Sequence, residues 1–223
     1  MIRAAASLNL DAERARSRTL RLALPQGIAV ADLARLVVDA RREGMHIEVV
    51  TADPPDRLEQ VRLSDVNVAV VPVPPAEAAW SVSLGVAGSD RSRHGAFFFD
   101  TIRPGRMDRE DAVRIWLQAE DDVPGIRDRL TRLRDSSGLA PAQLVTTQST
   151  TVATAEVYAT RDLLLCPQEQ ADQLGLNWQP LGDLHLVRGY DLAATDLADA
   201  DHIQRSLSAA VGRCLHSIQQ GTE

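Results

Sequence analysis

The chain contains no lysine; all 24 of its basic residues are arginines. A compositional bias toward arginine accounts for this more simply than selection for forked anion binding, because the arginines are scattered. Aromatic residues make up only 4% and there are two cysteines. No apolar run approaches the ~20 residues that a membrane-spanning helix needs. The net charge is -7 and no segment is strongly basic. That argues against this chain gripping nucleic acid by itself, since phosphate binding draws on clustered positive charge. The opening MIRAAASLNLDAERARSR has no apolar core ahead of a cleavage site. No secretory leader is expected, and the chain is read as cytoplasmic.

Catalytic signatures are equally scarce. His46, His94, His185, His202 and His216 show no metal-ligand spacing. There is no nucleophile elbow, phosphate-binding loop or dinucleotide-binding glycine pattern. Acidic pairs are common at 25% charged residues, so Glu120-Asp121-Asp122 alone does not imply acid–base catalysis. The sequence therefore predicts no enzyme, no cofactor and no metal. Cys166 ends an apolar run and Cys214 lies on the apolar stripe of the last helix. Both read as small core residues in a reducing compartment.

What is present is a regular order of segments. At 223 residues and 44% hydrophobic content, the chain suffices for one large domain or two small lobes. Residues 21–24 read as a strand, and Val30, Leu33, Leu36, Val37 and Ala40 set a helical period over residues 29–43. HIEVVTAD is a second strand, PPDRLEQVRLSD a helix with proline near its first turn, and VNVAVVPV a third strand with no polar face. After the linker PVPPAEAA come a strand, WSVSLGVAGS, then the loop GSDRSRHG and FFFDTIRPGRMDRED, read as a short strand, a turn and a helical turn. VRIWLQ, QLVTTQ and DLLLCP are strands, separated by the helices IRDRLTRLRDSSG and STTVATAEVYATR, and QEQADQLG is a short helix. A long strand, LHLVRGYDLAAT, leads into a final helix whose face carries Ile203, Leu207, Ala210, Val211, Cys214, Leu215 and Ile218. Such alternation favours parallel sheets with right-handed crossovers. A chain that builds one α/β unit, then another, and returns with a strand and a helix makes two lobes joined by crossing strands.

In this order the segments resemble the effector-binding domain of LysR-type transcriptional regulators, which has the fold of type 2 periplasmic solute-binding proteins. The resemblance covers residue 19 to the C-terminus. It rests on RTLRLALPQG, HIEVVTADPPDRLEQVRLSDVNVAVVP, STTVATAEVYATRDLLLCP, the return strand RGYDLAAT and the terminal helix. It implies an α/β fold of two Rossmann-like lobes: residues 19–78 with 193–223, and residues 79–192. Residues 1–18 resemble the tail of a linker helix; the family's helix-turn-helix is absent from this sequence. A small-molecule effector, with small carboxylates as the candidate class, is expected between the lobes, along with a homodimer inside a tetramer. DNA contact is expected only through the missing helix-turn-helix. A stand-alone binding protein without a DNA partner is the alternative.

Two groups of residues are the candidate effector contacts. In the second lobe, Gln148, Ser149, Thr150 and Thr151 join a strand to a helix. Free backbone N–H groups and the helix dipole there favour an anion, although a plain N-cap reads equally well. Glu120 and Asp121 precede another helix, where they either cap it electrostatically or touch the effector or an arginine. In the first lobe, Gln26 and Gly27 make the turn after the first strand, and Asp53 and Pro54 the turn after the second. Gln26 brings a donor and an acceptor, and Gly27 permits close backbone approach. Trp116 and Trp178 read as packing residues.

Overall fold

The computed structural model describes residues 19–90, 92, 94–105 and 112–216. The proposed linker-helix tail, residues 1–18, lies outside them, as does part of FFFDTIRPGRMDRED. The described chain divides into two compact units, one of residues 19–71 with 191–216 and one of residues 72–190.

The first unit begins with β1 (Thr19–Pro25), α1 (Val30–Arg42), β2 (His46–Ala52), α2 (Pro54–Arg62) and β3 (Val68–Val73). The three strands pair in parallel in the order β2–β1–β3. Parallel neighbours need a crossover, and α1 and α2 supply it. Leu22, Ala23 and Leu24 of β1 and Val68, Ala69 and Val70 of β3 are completely buried, so these stretches carry no polar face, whereas the edge strand β2 alternates exposed His46 and Glu48 with buried Ile47. The unit is completed by α6 (Leu197–Cys214), which buries Ile203, Leu207, Ala210, Val211 and Cys214. Asp196 caps it, its side chain accepting from the Ala198 N–H at 2.9 Å.

The chain enters the second unit along β3, at Pro72, and leaves it along β9 (Leu186–Ala194), at Tyr190. Between these points lie β4 (Trp80–Gly88), β5 (Ile115–Leu117), α3 (Pro124–Ser136), β6 (Leu144–Thr146), α4 (Thr150–Ala159), β7 (Leu163–Cys166), α5 (Gln168–Gln173) and β8 (Asn177–Pro180). Their order in the sheet is β9–β4–β7–β5–β6, with β8 beside β4. The trio β7–β5–β6 is parallel; β4 runs antiparallel to β7, β8 and β9. Two apolar clusters cover the sheet. One gathers Phe97, Phe99, Ile126 and Leu130 around β5 and β7; the other holds Trp116, Ala153, Val157 and Cys166, with Trp178 packed against it.

The second unit is pinned at the amino ends of β5 and β7 by Asp162. Its carboxylate accepts from the Arg114 N–H at 2.8 Å, from Arg114 Nε at 2.8 Å and from Trp116 Nε1 at 2.9 Å.

Three sequence readings need adjustment. The segment after β4 contributes a single bridge, Phe97 to Leu181, and a 3-10 turn at Phe99–Ile102 rather than a strand. The proline-rich linker holds a 3-10 turn, Pro75–Glu77. The strand β8 was not foreseen. Its sequence, NWQP, has no alternation to announce it, and only the free edge of β4 makes it a strand.

Pairing β4 to β8 depends on Gly85, because a Cβ there would stand 2.3 Å from the Gln179 carbonyl oxygen and 2.5 Å from the Trp178 ring. Gly85→Ala must therefore push β8 away. Overpacking of this kind costs roughly 1–3 kcal/mol, and the expected outcome is a melting midpoint lower by several degrees, measured by circular dichroism.

Candidate functional site

All three parallel strands of the second unit point the same way, so their carboxyl ends, Leu117, Thr146 and Cys166, share one edge. From β5 the chain crosses to β6 on one side; from β6 it crosses back over β5 to β7 on the other. Connections that diverge in this way leave a crevice at the strand ends, the usual ligand position in open α/β sheets. One of the unit's two polar clusters gathers there.

Ser149 is the N-cap of α4, its hydroxyl accepting from the Val152 N–H at 3.3 Å. Thr147 Oγ1 braces the turn, accepting from the Ser149 N–H at 3.1 Å. The Thr150 hydroxyl donates to Gln118 Oε1 at 3.2 Å. Gln118, the residue after β5, is buried and satisfied on both sides of its amide. Its Nε2 donates to the Leu165 carbonyl at 2.8 Å and to Gln170 Oε1 at 2.9 Å, and its Oε1 accepts from Gln170 Nε2 at 2.8 Å. One side chain thus ties β5, β7, α4 and α5 together. Ser149 and Thr150 are half-buried, and Gln148 and Thr151 are exposed. The N-cap reading of Ser149 agrees with the structure. The turn also presents the N-terminal end of a ten-residue helix, where the dipole favours negative charge.

The acidic run divides. Asp122 pairs with Arg127 of α3 at 2.8 Å, an ion pair, and the N-cap of α3 is Val123, with no side chain capping it. Glu120 and Asp121 are buried in a 3-10 turn, Ala119–Asp121. Both Asp121 oxygens are taken by Arg188 of β9, Oδ1 by Nε at 2.8 Å and Oδ2 by Nη2 at 2.9 Å. Arg188 Nη1 also donates to the Tyr190 hydroxyl at 3.4 Å. Burial pushes the Asp121 carboxyl above its usual range, against the pull of Arg188. Burial opposes the charge of Arg188, but Asp121, Tyr190 and Glu120 outweigh it and hold the guanidinium protonated. A forked pair of this kind is charge-assisted and geometrically specific.

The first unit carries its candidates at the corresponding strand ends. Gln26 and Gly27 follow β1 and are exposed, with Gly27 in the left-handed region at φ 82°. Asp53, half-buried, is the N-cap of α2, and Pro54 is buried at its first position. The residues missed by sequence reasoning are Gln118, Gln170, Arg188 and Tyr190. The available signals were a glutamine ending an apolar strand and an arginine inside one.

Among the described residues no group of histidine, cysteine, aspartate or glutamate is arranged to hold a metal ion, and no helix is long and apolar enough to cross a membrane.

No family model matches the chain. The HTH-type transcriptional regulator BlaA of Streptomyces cacaoi is 44% identical to it over 215 residues, 96% of this chain and 66% of that protein. The chain belongs to the LysR-type regulators. It corresponds to their effector-binding region, and it spans just under two thirds of the length of BlaA. Solved LysR-type domains share the fold. The effector-binding domain of QuiR in complex with shikimate has a TM-score of 0.63 at 11% identity, covering 88% of this chain and 97% of that one. The H2O2-bound C206S mutant of OxyR from Corynebacterium glutamicum has a TM-score of 0.68 at 14% identity, covering 96% and 71%. An effector-binding domain of a BenM variant has a TM-score of 0.61 at 15% identity, covering 90% and 95%.

The two cysteines of this LysR-type chain are free and buried. Burial pushes the Cys166 thiol well above its ordinary range and that of Cys214 up to about 12. Since the thiolate is the reactive form, neither should react quickly. Iodoacetamide at pH 8 is expected to leave the native protein unlabelled and to label both cysteines after denaturation, by intact-mass measurement.

Proposed function

We propose that the chain is the small-molecule sensing part of a LysR-type regulator, with the turn at the start of α4 as its effector contact in the second unit. The observation that carries the reading is the convergence of Ser149, Thr150 and the N-terminal end of α4 at the edge where β5 and β7 end. The backbone N–H groups of Thr150 and Thr151 and the helix dipole suit a carboxylate, and the Ser149 hydroxyl, which only accepts in its capping role, has its proton to donate to it, while Thr150 is oriented by its bond to Gln118. Gln148 borders the same turn. Glu120 is a buried acid of the turn 119–121, and Asp121 supports the site through Arg188 rather than by direct contact. In the first unit Gln26, Gly27, Asp53 and Pro54 offer the contacts.

Binding changes the output of such a domain only through a difference in affinity between two arrangements of the protein. Pairing of copies is also proposed, supported by apolar side chains left exposed on two helices: Val30 and Val38 on α1, Val152 and Tyr158 on α4. DNA contact is not proposed for these 223 residues, whose net charge is -7. Catalysis is not proposed either: BlaA is a regulator, and no nucleophile–base pair stands at the site.

The test is a thermal-shift screen of small carboxylic and hydroxylated acids, followed by calorimetry on the best ligand. Ser149→Ala with Thr150→Ala is expected to weaken binding by tenfold or more, one hydrogen bond to a charged group being worth about 1.5–3 kcal/mol. The ligand-free variant should stay folded, since loss of a cap costs about 1 kcal/mol. Unchanged affinity would reject this turn as the contact.

A further inference from the structure

The Asp121–Arg188 pair joins two places that no backbone ladder joins. Arg188 lies on β9 and Asp121 just past β5, and β4 and β7 separate those strands in the sheet. Three interstrand steps amount to about 14 Å. The pair spans this by passing beyond the end of β7. Cys166, the last residue of β7, pairs with Gly85 of β4, whereas Arg188 pairs with Val82, further along β4. The thiol of Cys166 accordingly lies within the field of both charges. Arg188 is 6% exposed and Asp121 completely buried.

A buried ion pair is a poor source of net stability, because desolvation of both charges offsets their attraction. What a forked arginine–carboxylate contact does provide is fixed distance and orientation. Its position gives that rigidity a use. The turn 119–121 follows Gln118, which holds Thr150 at the start of α4. Two residues after Arg188, at Tyr190, the chain leaves the second unit.

We propose that Arg188 is a positioning residue that latches the turn 119–121 to the crossing strand β9, so that the turn and residues 187–190 open and close as one element. A displacement of the turn is thereby delivered to the strand by which the chain leaves this unit. The latch goes beyond the effector reading and is tested without any effector.

Hydrogen exchange of the full chain tests it reciprocally. Asp121→Asn is expected to speed exchange of the amides of residues 187–190 by about tenfold or more, 67 positions away in sequence. Arg188→Lys keeps the charge but loses the fork, and should do the same to the Asp121 and Asp122 amides. Amides of α3 and β6 serve as the reference and should not change. Acceleration confined to the element that carries the substitution would overturn the latch. If a single variant fails to fold, Asp121→Leu with Arg188→Met replaces both charges by apolar groups, a change that is often neutral or stabilising. That variant should melt no lower than the natural chain yet exchange faster at both ends. Exchange equal to that of the natural chain would equally overturn the proposal. Failure of the latch would leave the α4 turn as effector contact untouched, and failure of every effector screen would leave the latch untouched.

Discussion

The second unit depends on one constraint: a parallel strand buried on both faces must be reached by a crossover. Leu163–Cys166 is buried along its whole length, as is Ile115–Leu117, so neither strand spares a face for water. Each must be covered by helices, and the helices must return the chain to the same end of the sheet. Every carboxyl end is thereby delivered to one edge. Backbone groups leave the ladder there and need partners, which is why Gln118, Thr147, Ser149 and Gln170 collect at that edge rather than elsewhere.

The two edges of the β5–β7 layer are polar for different reasons. At the amino edge Asp162 is enclosed by Arg114 and Trp116, and Arg114 also pairs with Glu156 at 2.9 Å. That arrangement fixes two strand starts, beside a pocket that Arg114, Gln143 and Asp162 help to line. The carboxyl edge is built in two tiers. Its buried members, Gln118, Asp121 and Arg188, hold the loops, while Ser149, Thr150 and Thr151 remain within reach of solvent. A buried scaffold beneath an accessible rim is the arrangement a binding site needs, because the scaffold holds the rim in place: Gln118 fixes Thr150 from below, and Ser149 is held as the cap of α4.

Most elements were legible in the sequence. The helix over Val30–Arg42 follows from its 3.6-residue period and α4 from the hydroxyl residues at its start, with Ser149 forming the cap. The short strands β5 and β6 came out shorter than their apolar runs, because pairing with a neighbour, not hydrophobicity, ends a strand. For β8 no local signal existed. The acids at 120–122 show the same limit more sharply. Capping, effector contact and pairing with an arginine are all consistent with three adjacent carboxylates. Asp122 took the third role with an arginine of the helix it precedes, Arg127, five residues on. Asp121 took the same role with a residue 67 positions away, a partner that no local pattern identifies.

By itself the sequence determined the alternation of strands and helices, the absence of catalytic and metal signatures, and a family resemblance carried by segment order. These are properties of local periodicity and composition, and they survive without knowledge of which residues meet. Tertiary structure decided which polar residues share an edge: Gln118 beneath Thr150, Arg188 against Asp121, Asp162 under Trp116. Such contacts join points far apart in the chain, and their geometry exists only once the sheet order is set. The strand order β9–β4–β7–β5–β6 is therefore the fact that converts a list of polar residues into a supported site.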